Sequence, residues 1–425
     1  MNIEWNSEEV RGMYPRTWNS SNFHHEYTEI EELIINRSHD KMVERLQTEK
    51  MMPRERFNRT LFGSDPDRLP ISNPFSPPVG SRIFDSFAET PPVVHNRDFI
   101  EFPELQILAL SLWYARFLSD TCIPITNTFG EELVTKKFRL IEHGPPLAVE
   151  PFAKTKEDMD WFMNNVPDPG HRGIFPLVTW TAKQTIKFLP ELLTQGFCCA
   201  GPYAMATFFR GTSEFLIDIR KNYEMADLAL QCVTKFFLKK LDRMMEAIGP
   251  VFNADTPDGN ILFWCDGGGA YVTVDEFKKT WDRTYGTTIP YCAKKNVNPH
   301  IAPVAAAPHN ALVRDIMDEY LGGSLSFSDE VPPVEDFVPM WEGRNKEDNN
   351  GGKVFMNAGP QTKSILKGEE ATRKDMLRYA RLLAATPEKG LRAHSGAVAD
   401  ANTPLPNIDM AIRLLLELYK YPVTV

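Results

Sequence analysis

The stretch NILFWCDGGGAYVTVDEFKKTWDRTYGTTIPYCAKKNVNPHIAPVAAAPHNALVRDIMDEYL, residues 260–321, decides the fold. NILFWC is a short uncharged run that suits a strand buried on both faces. TVDEFKKTWDRTY (273–285) reads as a helix, HIAPVAAAP (300–308) as a second buried strand, and NALVRDIMDEYL (310–321) as a second helix. Strands covered on both faces are continuously apolar rather than alternating. Parallel neighbours also need a crossover of helical length between them. The stretch therefore reads as consecutive parallel βαβ units.

The same alternation extends in both directions. Upstream lie helical ELQILALSLWYARFL (104–118), strand-like CIPIT (122–126), helical QTIKFLPELLTQ (184–195), strand-like FCCAG (197–201) and a long helical stretch over 212–249. Downstream come strand-like KVFMNA (353–358), helical ATRKDMLRYARLLAAT (371–386), strand-like GLRAHS (390–395) and a last helix, NIDMAIRLLLELYK (407–420). Such a run over about 250 residues or more fits a closed (β/α)8 TIM barrel better than an open sheet. The fold class expected is α/β, with the barrel over 51–425 and residues 1–50 as an N-terminal helical extension.

The extension holds one amphipathic segment, YTEIEELIINRSHDKMVERLQ (27–47), with Ile30, Leu33, Ile34 and Val43 near helical spacing. It suits a helix packed on the main domain or on the partner subunit of a homodimer. His24 and His25 are adjacent rather than at i, i+4, a weak metal signal. LPISNPFSPPVGS (69–81) and EGRNKEDNNGGK (342–353) read as irregular backbone.

Composition narrows the partners. A net charge of −10 disfavours a surface for phosphate backbones, so no nucleic-acid partner is expected. No segment reaches roughly 18 uninterrupted apolar residues, so no membrane span is expected. The first residues, MNIEWNSEEVRGMYPR, lack the apolar region of a secretory signal. The six cysteines form no C-x-x-C pair and read as reduced thiols. A cytoplasmic protein is the expectation.

In a barrel the carboxyl ends of the strands face the active site. That places Asp266 after NILFWC, Pro308–Asn310 after HIAPVAAA, Asn357 after KVFM and His394 after GLRA. His394 is the leading catalytic candidate, because a near-neutral imidazole donates a proton well at physiological pH. Its plain alternative is a histidine satisfied by backbone in a tight turn. Asp266 is the second, to orient His394 or bind substrate beside the Gly267-Gly268-Gly269 run; the alternative is a cap on a helix or turn. Asn357, His309 and Asn310 are candidate substrate-binding residues; with Asp266, Cys265 and His394 the last two could also form an unconventional metal site, the plainer alternative being a cap on a first helical turn. Tyr203, Phe208 and Trp264 offer an apolar wall, or simply core packing.

Five segments, in order, carry a resemblance to the uroporphyrinogen decarboxylase superfamily. MMPRERFNRTLFGSDPDRLPI (51–71) is similar to the family's opening Arg-Glu-Arg helix and its Asp-Arg-x-Pro end, and GPPLAVEPFAKTKEDMDWF (144–162) to its acidic connecting segment. GPYAMATFFRGTSEFLIDIRKNYEMADLALQCVTKFF (201–237) resembles the Gly-Pro turn that opens a helix, with a later Gly before the next. TVDEFKKTW (273–281) and AHSGAVADANTPLPNIDMAI (393–412) resemble the segment after the central strand and the Gly-His-Gly segment. The resemblance implies the barrel.

Departures select the branch. The Arg-Gln-Ala-Gly-Arg-type segment that grips a porphyrinogen's acidic arms has no counterpart; Phe208 stands where the pocket tyrosine falls, and Gly267 where a serine does. Thiol-directed methyltransferases of the superfamily hold zinc through His-x-Cys and a later Cys. Those positions here are Ala305–His309 and His394–Ser395, so no metal is expected in the usual zinc pattern. The resemblance then implies a demethylating methyltransferase that passes a methyl group from a small methylated donor to cobalamin. No Asp-x-His-x-x-Gly segment is present, so the cobalamin would ride on a separate corrinoid protein. A carboxy-lyase acting on a smaller carboxylated substrate and a non-catalytic binding protein are the alternatives.

Overall fold

The computed structural model describes residues 3–6, 26–62, 66–71, 107, 111, 120–122, 133–140, 147–171, 175–191, 193–194, 199–248, 260–266, 271–295, 297–302, 312, 325–327, 354–360, 362–385, 392–394, 403–420 and 423. Its main sheet is parallel. The strands are β6 (Cys199–Ala200), β7 (Asn260–Cys265), β8 (Val297–Ala302), β9 (Leu325–Phe327), β10 (Val354–Asn357) and β11 (Arg392–His394). They are hydrogen-bonded in strict chain order. A second parallel pair joins β2 (Thr121–Cys122) to β5 (Leu193–Thr194). The fold is α/β, as the alternation predicts.

Helices lie between these strands. α5 (Pro202–Arg210), α6 (Thr212–Lys221) and α7 (Tyr223–Ile248) connect β6 to β7, and α8 (Val274–Thr280) and α9 (Tyr285–Lys294) connect β7 to β8. α10 (Thr362–Leu366) and α11 (Glu369–Ala385) precede β11, and α12 (Leu405–Leu418) follows it. α5 begins with proline in its first turn, where the missing N–H has no intrahelical partner to lose. Gly211, at φ +92°, turns the chain from α5 into α6 in a conformation that L side chains rarely adopt. Among the described residues no helix is long and apolar enough to cross a membrane.

Several predicted boundaries move. The continuous helix expected over 212–249 is two, because Asn222 leaves helical geometry (φ −147°, ψ 63°) while its amide still donates to Asp218 O. The helix expected over 184–195 belongs to α4 (Phe175–Phe188), which stops two residues before Pro190; residues 193–194 are strand. A residue before proline is pushed out of helical backbone, which makes Leu189 the natural end. The helix expected over 273–285 ends at Thr280, followed by a 3-10 turn and then α9. β8 starts at Val297, ahead of the expected His300.

The N-terminal residues are less separate than their polarity suggests. β1 (Ile3–Asn6) pairs antiparallel with β3 (Thr135–Leu140), which pairs with β4 (Leu147–Pro151). α1 (Glu29–Leu46) forms where the amphipathic helix is expected, opened by a Thr28–Glu31 capping box. Its buried stripe differs from the expected one: Ile35, Ser38, Met42 and Leu46 are inside, whereas Leu33 is 47% exposed. The helix has apolar residues on more than one side, so its rotation is set by docking. Tyr27 stacks on Trp180 and meets Phe188 edge-on, and His39 Nε2 lies 3.1 Å from Glu191 Oε1.

The opening Arg-Glu-Arg segment forms α2 (Pro53–Phe62), and its Arg56 is completely buried. The guanidinium donates to Asp67 through Nε (2.6 Å) and Nη2 (2.9 Å), to Asp120 (2.5 Å), to Glu49 (2.5 Å) and to Met51 O (2.7 Å). Arg68 donates to the other Asp120 oxygen at 2.8 Å. Burial alone would weaken the Arg56 cation; the Asp67 hydrogen bonds and the charges of Asp120, Glu49 and Asp67 outweigh it and hold it charged. Asp120 immediately precedes β2, so the cluster lies at the amino end of that strand.

Candidate functional site at the carboxyl edge of the sheet

Because the strands are parallel, their carboxyl ends share one edge. Ala200 pairs with Cys265, and Cys265 with Ala302. Across the sheet, Asn357 at the end of β10 is in register with His394 at the end of β11. The structure thus sets two of the sequence candidates side by side, although 37 residues separate them in the chain. Trp264 stands one residue before the end of β7, in register with Cys199 and Ile301. His309 and Asn310 lie outside the described residues.

Asp266 follows β7 directly and is 1% exposed. Its carboxylate reaches across to the helix after the neighbouring strand. Oδ1 accepts the Ala204 N–H at 2.6 Å, and Oδ2 accepts the Tyr203 N–H at 3.2 Å and the Tyr285 hydroxyl at 2.9 Å. α5 has no side-chain cap of its own, since its N-cap is Gly201. Asp266 supplies that cap from another βα unit, satisfying two of the amides that a helix start leaves without partners. The approach demands glycine at 201, where a Cβ would stand 2.6 Å from Asp266 Oδ2.

None of the three donors is a cation. Burial pushes the carboxyl up to about 7, and the bonds from the Ala204 amide, the Tyr285 hydroxyl and the Tyr203 amide act in the opposite direction. The Asp266 described here caps α5, and His394 ends a strand on the same edge of the sheet.

Tyr203 is fully buried, edge-on to Phe215 at 5.4 Å and tilted against Phe277 at 5.8 Å. Burial raises its phenol above the ordinary range, with the nearby Asp266 charge adding to the effect. It packs as core. Phe208 is half-buried against the same core. Tyr285 escapes sequence reading, because its partner stands 19 residues away and only the tertiary fold joins them. A buried acid with no cation nearby in sequence is the one signal that could have prompted a search for such a donor. Among the described residues no group of three His, Cys, Asp or Glu side chains is placed to hold a metal ion.

Fold and edge together define an α/β protein whose candidate chemistry sits on the carboxyl ends of sequential parallel strands, the usual place for it in such sheets. A solved methyltransferase from Methanosarcina mazei has the same fold, with a TM-score of 0.59 over 87% of this chain and 99% of that one, at 15% sequence identity. No protein-family model and no curated protein matches the sequence.

Proposed function

We propose that the chain is a methyltransferase that moves a methyl group from a small methylated donor, a methoxy compound, to the cobalt of a separate corrinoid protein. The observation that carries the proposal is the in-register pair Asn357–His394 at the carboxyl edge of a fold shared with a methyltransferase. The five ordered segments quoted above support the superfamily, and the departures from its patterns support the branch.

The proposal includes a closed eight-stranded ring. Right-handed crossovers between strands in strict chain order put every helix on one face of a sheet. The opposite face is then covered most simply by closing the sheet on itself. Contacts at the sheet's ends favour that closure. α2 touches β11 at one end and also β2 and β5. Ile71 and Asp120 exchange hydrogen bonds, and Arg68 bridges Lys420. On a flat sheet β7 and β11, four strands apart, would lie about 19 Å from one another; a ring sets their ends across one mouth.

Cobalt(I), brought by the partner, supplies the nucleophile for the methyl carbon. The chain holds the donor in line and manages the oxygen that departs. An alkoxide or phenolate leaves poorly unless it is protonated, and His394 is the group to give that proton. Asn357, one strand away, hydrogen-bonds the same end of the donor, and Trp264 and Phe208 wall its apolar part. His309 and Asn310, beyond β8, are further donor-binding candidates. Tyr203 backs this wall without reaching the donor, and Asp266 holds the neighbouring turn.

The test mixes the purified chain with a reduced corrinoid protein and a panel of methoxy compounds carrying a labelled methyl group. Label should pass to the corrinoid, and His394→Ala should slow the transfer by about 100-fold or more. No transfer across a broad donor panel would sink the proposal. Carbon dioxide release from carboxylated compounds without any corrinoid would replace it with a carboxy-lyase.

A further inference from the structure

We infer that Asp266 is a proton-operated latch: gain or loss of its proton sets how firmly the Gly201–Pro202 turn closes against the carboxyl end of β7. The inference stands on packing and holds whatever reaction the edge carries out.

The carboxyl group is buried, both oxygens are engaged, and among the described residues every hydrogen-bond partner is a neutral donor. Removing a carboxylate from water without a cation is costly, and the group relieves that cost by taking up a proton. The groups facing it are the Tyr203 phenol from α5 and Tyr285 from α9. Beyond Tyr203 lie Glu276 of α8 and Arg220 of α6, which pair with each other at 2.8 Å on the surface. Arg220 is therefore already matched by Glu276, and none of the described donors to Asp266 carries a charge.

The turn is pressed onto the carboxyl group. Gly201 has no room for a Cβ beside Oδ2, and the first two α5 amides after Pro202 point at the two oxygens. If the turn lifts, water reaches Asp266 and its carboxyl becomes an ordinary, stronger acid. The closed form thus binds the proton more tightly than the open form. Linkage fixes the sign: closure is favoured when Asp266 is protonated and weakens as the pH rises and the proton leaves to solvent. Because the turn follows β6 on the candidate edge, the latch adjusts the rim of the site.

Hydrogen exchange of the full-length chain, read by mass spectrometry between pH 5.5 and 8.5 and corrected for intrinsic exchange, tests this. Protection of the peptide covering 200–210 should fall by about tenfold per pH unit up to the Asp266 transition and level off above it. Peptides within α7 should stay flat. In Asp266→Asn the pH dependence of 200–210 should vanish. In Tyr285→Phe, which keeps the carboxyl but removes a donor that favours its charged form, the transition should move to higher pH. A flat wild-type profile, an unchanged profile in Asp266→Asn, or an unmoved transition in Tyr285→Phe would each overturn the latch. Should Asp266→Asn not fold, the Tyr285→Phe transition decides.

Discussion

Replacing Arg56 by methionine should cost the fold about 3–5 kcal/mol, the range for removing one partner from a buried ionic cluster. The cluster holds two cations, Arg56 and Arg68, against three anions, Glu49, Asp67 and Asp120, a net charge of −1. Without Arg56 it becomes −2, with Arg68 alone facing three carboxylates. Arg68 reaches Asp120 at 2.8 Å and Glu49 only at 3.3 Å, so Asp67 loses its bidentate partner outright. Methionine fills much of the arginine's volume, so the loss measured is chiefly that of charge and hydrogen bonds rather than of packing. Urea unfolding followed by tryptophan fluorescence reads it, through the midpoint at unchanged slope. Arg56→Lys should recover little, because an ammonium cannot span Asp67, Asp120, Glu49 and Met51 O together. A loss below about 1 kcal/mol for Arg56→Met would refute the claim that this clamp ties α2 to the start of β2. The acid arm offers a second check. Against the opposing effect of burial, the Arg56 bond and charge hold Asp67 below the usual carboxylate range. Its contribution is therefore present above the unfolded-state pKa and lost as the pH falls through the lower folded value. In Arg56→Met that acid-linked loss should shrink.

Two further outcomes follow from Asp266. Gly201→Ala places a Cβ 2.6 Å from Oδ2 and should destabilise by about 1–3 kcal/mol, with the double variant Gly201→Ala/Asp266→Ala losing less than the sum of the singles; strict additivity would mean the two do not press on one another. Since the Asp266 pKa is raised in the folded protein to about 7, its proton-linked stabilisation is full below the unfolded carboxylate value and disappears as the pH climbs to 7. Wild type should lose on the order of 4 kcal/mol at most over that window from this group, and Asp266→Asn should lack the slope in unfolding titrations. The acid-side effect at Asp67 and this one have opposite signs, so the two variants separate them.

The sequence by itself determined the α/β class, the alternation that yields β6, β7, β8, β10 and β11, the existence of α1, and the strand-end positions of Asp266, Asn357 and His394. Each rests on local information: the period of apolar residues, or a short apolar run followed by a polar residue. Tertiary structure alone decided which face of α1 is buried, that β1 joins β3, that Asn357 and His394 are neighbours, and that Arg56 gathers three carboxylates. It also decided what Asp266 touches. Its amide partners lie 63 and 62 residues away, on a helix belonging to another strand. Periodicity states which side chains leave water, but the partner a buried polar group meets depends on how distant elements pack, and a one-dimensional pattern does not encode that distance.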